Sequence, residues 1–94
     1  MKRTRIKFCG ITTIADALVA ADAGVDAIGL VFTRRSRRFV ETDAARAIRA
    51  ALPPFVAAVA LFLDDAPDWV AEVVRKVTPD LLQFHGREAA GACR

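Results

Sequence analysis

Asp26-Ala27-Ile28-Gly29-Leu30-Val31-Phe32 decides the reading of this chain. After its leading aspartate it is an unbroken apolar run of strand length. A strand with one wet face alternates polar and apolar residues, whereas an unbroken run suits a strand covered on both faces, as in parallel sheets. Upstream, Ile14, Ala17, Leu18 and Ala21 recur at spacings of three and four, which predicts one helical face over Ile14 to Ala23. Thr13 stands three residues before Asp16, a capping pair, and Gly24 supplies the stop. Downstream, a basic loop from Thr33 to Arg38 leads to Thr42, which predicts the N-cap of a second helix with Ala45, Ile48 and Leu52 on its inner face. Pro53-Pro54 ends that helix, because neither ring permits continuation.

The same alternation continues outward. Ile6 to Cys9 reads as a first strand and Phe55 to Leu63 as a third. Pro67 opens a third helix in its first turn, with Val70, Val73, Val74 and Val77 on one face. Valine is a modest helix former, so packing must hold that helix. Pro79-Asp80 turns the chain into a fourth strand, Leu81 to His85, which Gly86 ends. Glu88 to Arg94 predicts the start of a fourth helix. Strict βα alternation implies a parallel sheet with right-handed crossovers. Strands begin near residues 6, 27, 57 and 81. Eight such units would need roughly 200 residues, the scale of a small (β/α)₈ barrel. The expected class is therefore α/β, a TIM-barrel type with only the first four βα units, residues 1–94 forming a single partial domain.

Composition narrows the function classes. Apolar residues make up 54% and charged residues 27%, which excludes a disordered chain. No run approaches the ~20 apolar residues that span a bilayer, and the basic start Met1 to Arg5 is followed by a strand rather than a secretory h-region. No membrane partner is expected, and a reducing cytoplasm is the expected location. The net charge of +3 fits a solvated basic surface or an anionic ligand better than nucleic acid, since most helical charges are scattered between apolar positions. Cys9 and Cys93 lack paired spacing, so neither a disulfide framework nor a metal site is expected.

In parallel α/β folds ligands bind beyond the carboxyl ends of the strands. Cys9, Ser36, Arg38, Gln83 and His85 stand there. Strand alternation puts Lys7 and Cys9 on one face, and Gln83 and His85 on one face, with Ile6, Phe8, Leu82 and Phe84 opposite. The apolar face should meet the helices and the polar face should look inward. Each residue also has a plainer reading: a small buried cysteine, a structural histidine, a solvated arginine loop.

The motifs resemble one family. Lys7-Phe8-Cys9-Gly10-Ile11-Thr12 is similar to the first-strand signature of the phosphoribosylanthranilate isomerases. Asp26 to Phe32 resembles their second strand, Ser36-Arg37-Arg38-Phe39-Val40 the loop after it, and Leu82-Gln83-Phe84-His85-Gly86 their fourth strand. The resemblance spans the whole chain but about the first half of the family's length. It implies an Amadori rearrangement of phosphoribosylanthranilate to 1-(o-carboxyphenylamino)-1-deoxyribulose 5-phosphate, in tryptophan biosynthesis and without a cofactor. It implies Cys9 as the general base, Arg38 as the holder of the anthranilate carboxylate, and Gln83 and His85 as lining residues.

Lys7 lies two residues from Cys9, about 6.6 Å along the strand. Its positive charge is expected to favour the thiolate. The family's general acid, an aspartate of a later strand, has no counterpart here, nor do the phosphate-binding loops after strands seven and eight. The 94 residues alone are therefore expected to turn over little or no substrate. Open edges on the first and fourth strands predict self-association or pairing with a C-terminal half. The alternative is a non-catalytic α/β module whose Arg34–Arg38 loop binds phosphate or nucleic acid.

Overall fold

The computed structural model describes residues 6–85, with His85 described by its backbone alone. The elements run β1 (Lys7–Cys9), α1 (Ile14–Asp22), β2 (Ala27–Val31), α2 (Thr42–Ala51), β3 (Ala57–Leu63), α3 (Pro67–Val77) and β4 (Leu81–His85). The four strands form one parallel sheet in the order β1-β2-β3-β4. This is the half-barrel pattern expected from the alternation. The predicted fourth helix lies outside the described residues.

Ile28, Leu30 and Phe32 of β2 and its end project to one face with Ala60 and Phe62 of β3. Ala17 and Ala20 of α1, Ala45 and Ile48 of α2, and Val73 and Val77 of α3 complete that core. Phe32 and Phe62 stack at 5.9 Å between ring centroids, and Phe62 and Phe84 at 5.5 Å. The apolar face of β2 and β3 therefore meets the helices, whereas Ile6, Phe8, Leu82 and Phe84 on the edge strands, expected on that buried face, are exposed. Burying each Phe, Ile or Leu here contributes about 1.5–3 kcal/mol. The opposite face is not wholly polar: Val59 and Leu61 project there and are also buried.

Local signals act much as read. The Thr13 hydroxyl accepts from Asp16 N at 3.1 Å at the start of α1. At its end Gly24, at φ +93°, closes a Schellman motif: Gly24 N donates to Ala21 O and Val25 N to Ala20 O. Pro67 stands in the first turn of α3.

Three readings are corrected. On α1 the buried face runs through Ala17 and Ala20, while Ile14 and Leu18, read as part of that face, are exposed. Thr42 is the first helical residue of α2 rather than its cap. The cap is Glu41, which makes no side-chain capping bond, and Thr42 is instead buried. Val74 does not share the buried valine face: it stands one residue past Val73, about 100° around the helix, and is exposed.

Candidate functional site at the carboxyl ends of the strands

The first row of the site follows from register. Cys9 pairs with Gly29, Gly29 with Val59 and Val59 with Leu81. A Cβ at Gly29 would lie 2.9 Å from Leu61 Cδ1 and 3.2 Å from both Cα and Sγ of Cys9. The bare backbone at Gly29 thus leaves space for the Cys9 sulfur on the face away from the helices. That sulfur is engaged in a disulfide, which corrects the expectation that no disulfide forms; its partner lies outside the described residues.

Lys7 and Gln83 belong to the two edge strands, yet Lys7 Nζ donates a hydrogen bond to Gln83 Oε1. In a flat sheet three strand spacings would separate β1 from β4 by roughly 14 Å, with side chains projecting perpendicular to the sheet. The contact therefore reports curvature: the sheet is bent so that this face is concave and its side chains converge. Lys7, expected to favour the Cys9 thiolate, has Gln83 as its hydrogen-bond acceptor. The two residues meet although 76 positions separate them.

Arg38 comes from the loop after β2. The Ser36 hydroxyl accepts from Arg38 N at 3.0 Å, and Ser36 N donates to Thr33 O at 3.0 Å, which makes a tight turn. Val40 N then bonds Val31 O, so the loop returns to the end of the strand it left. The Arg38 side chain lies across Gly10, the residue after Cys9. A Cβ there would stand 2.6 Å from Arg38 Nη1, 3.1 Å from Cγ and 3.2 Å from Cδ. Arg38 and the end of β1 are thus brought together as expected.

Neighbouring groups fix the loop. The Arg34 guanidinium sits 4.2 Å from the Trp69 ring centroid and 5.8 Å from that of Phe39. Trp69 Nε1 donates to Phe32 O at 2.7 Å, which ties α3 to the end of β2. The buried Thr33 hydroxyl donates to Asp65 Oδ2 at 2.7 Å, and Leu63 N donates to both of these oxygens at 2.8 Å. Among the described residues none of Arg34, Arg35, Arg37 and Arg38 forms an ion pair, so their charge is not cancelled internally. Two of the four are nonetheless occupied, one on aromatic rings and one over Gly10, which does not make the continuous stripe that a nucleic-acid strand would follow.

The structure therefore brings Arg38 to the end of β1 beside Cys9, and separately joins Lys7 of β1 to Gln83 of β4. The backbone of His85 pairs with Leu63 at the same end, but its side chain lies outside the described residues. No group of metal-ligating side chains occurs among the described residues. Sequence reading missed Gly10, Trp69 and the Thr33–Asp65 pair. A glycine directly after a strand, and a lone tryptophan opening a helix, were the available signals.

Comparison with known proteins agrees with this geometry. The chain is 51% identical over 92 residues to the N-(5'-phosphoribosyl)anthranilate isomerase of Stenotrophomonas maltophilia, covering 98% of this chain and 42% of that protein. The crystal structure of phosphoribosyl anthranilate isomerase from Thermus thermophilus superposes with a TM-score of 0.84 at 40% identity, covering 96% of this chain and 48% of the other. A structure of the isomerase in complex with reduced 1-(o-carboxyphenylamino)-1-deoxyribulose 5-phosphate superposes with a TM-score of 0.85 at 39% identity, covering 90% and 44%. The chain thus spans less than half the length of these relatives. The family model for N-(5'phosphoribosyl)anthranilate isomerase matches residues 6–93, and with the parallel half-barrel and its cysteine–arginine end this chain belongs to that family.

Proposed function

We propose that this chain carries the anthranilate-facing half of a phosphoribosylanthranilate isomerase site. The observation that carries the reading is Arg38 laid across Gly10, immediately after Cys9. A guanidinium presents a planar fork that suits both oxygens of an aromatic carboxylate. The reduced Cys9 thiolate, on the strand beside it, removes the C2 proton of the ring-opened Schiff base. The electron pair moves to give the enolamine, and reprotonation at C1 yields the aminoketose. The reaction moves protons only and is redox-neutral overall. The disulfide at Cys9 must be reduced before its sulfur can act as a base, which suits a reducing compartment such as the cytoplasm. Gln83, oriented by Lys7, and His85 complete the lining.

The finer partner reading follows from the two sheet edges. β1 and β4 are the ends of the strand order, and further barrel strands would attach there, supplying the general acid and phosphate loops that the family uses. The test is turnover of phosphoribosylanthranilate by the reduced chain, with and without the C-terminal half of a relative added in trans. Activity is expected on complementation, and Cys9→Ser should lower it at least ~100-fold, the scale of one general base. Undiminished turnover by Cys9→Ser would remove Cys9 from the mechanism.

A further inference from the structure

The floor on which Arg38 lies has a definite construction. Gly10 is held by two backbone bonds to one acceptor: Gly10 N and Ile11 N both donate to Gly29 O, at 3.0 and 3.2 Å. Its φ of +83° belongs to the region that glycine enters without steric cost. A Cβ at this position would run into three atoms of the Arg38 side chain. The side chain therefore crosses a bare, immobilised piece of backbone on its way to the strand ends.

We infer that Gly10 is a positioning residue that sets where the Arg38 guanidinium stands, and so tunes recognition of the carboxylate on the substrate's aromatic ring. The inference rests on the proposed role of Arg38. Its physical content is steric. The atom nearest the missing Cβ is Nη1, at the far end of a flexible side chain, so a methyl group at position 10 displaces the guanidinium rather than the sheet. The effect should then appear in affinity for carboxylate-bearing ligands. The backbone strain that Gly10→Ala also introduces is independent of what stands at position 38. A double-mutant cycle with Arg38→Ala therefore separates the two.

Two measurements on the reduced 94-residue chain test this. In the first, proton nuclear Overhauser effects between the Gly10 α-protons and the Arg38 γ- and δ-protons are expected without ligand. Their absence overturns the inference whatever the protein's function. In the second, the dissociation constant of reduced 1-(o-carboxyphenylamino)-1-deoxyribulose 5-phosphate is followed by NMR titration. Arg38→Ala should weaken binding at least ~10-fold, as expected for loss of a charge-assisted contact. Gly10→Ala should weaken it about fivefold to tenfold when Arg38 is present, but less than about twofold when it is combined with Arg38→Ala. Equal losses in both backgrounds would show that Gly10 matters only for its backbone, and the inference fails. If the unmodified chain does not bind the probe, or Arg38→Ala binds it undiminished, the carboxylate reading fails and takes the inference with it, even where the Overhauser contacts are seen.

Discussion

The two ends of the sheet use charged side chains in opposite ways. At the amino ends of the strands, carboxylates are consumed by backbone. Asp26 N donates to Ile6 O while Asp26 Oδ2 accepts from Ile6 N, both at 2.8 Å. Two repeats on, Asp80 N donates to Ala58 O at 2.8 Å while Asp80 Oδ2 accepts from Ala58 N at 2.7 Å. Each aspartate stands just before a strand and clamps the strand preceding it. Arg49 adds an ion pair to Asp80 and a bond to Thr78 O. At the carboxyl ends, cations lie over glycine and aromatic rings without ion-pair partners among the described residues. The lesson is a division of labour: the aspartates and Arg49 at the amino ends are satisfied internally where they lock the sheet, while the loop arginines at the carboxyl ends keep their charge uncancelled among the described residues.

The comparison breaks if the amino-end clamp proves dispensable. Asp80→Ala strands Ala58 N and leaves Arg49 without its carboxylate. Chemical denaturation should show a loss of about 2–3 kcal/mol, with ligand affinity of the folded protein unchanged. A loss below 0.5 kcal/mol, roughly the level of an ordinary surface substitution, would show that the clamp is ornamental. At the other end, Thr33→Val removes the donor to Asp65 while Leu63 N keeps the carboxylate as its acceptor. The expected cost is about 1 kcal/mol. It should be accompanied by faster hydrogen exchange at Leu63, and unchanged exchange would place the constraint elsewhere.

The smallest change sharpens the picture in the opposite direction. Thr78 caps α3 at φ 49°, a conformation that β-branched residues resist. Thr78→Gly should raise stability by about 1 kcal/mol, since the strain relieved there exceeds the added chain entropy. A decrease would mean that the bond from Arg49 to Thr78 O depends on the threonine.

Much of this was legible in the chain before folding. The four strands, three helices, Thr13 cap and Gly24 stop are local matters, decided by periodicity and by residues within a turn of one another. Strand alternation likewise put Cys9 and Gln83 on one face. The Thr42 and Val74 readings failed because both residues sit at the margin of a pattern, where a shift of one position changes what a side chain touches. The cysteine reading failed because spacing along a chain says nothing about distance across it.

What the sequence determined by itself is the order of elements and the end of the sheet at which polar groups gather, because a two-residue or 3.6-residue period is already geometry. Tertiary structure alone decided that Lys7 reaches Gln83, that Arg34 rests on Trp69 and that Arg38 lies over Gly10. Those contacts depend on how sharply the sheet curves and on where a loop returns. Curvature sums small rotations over every strand pair, and no single stretch of sequence records that sum.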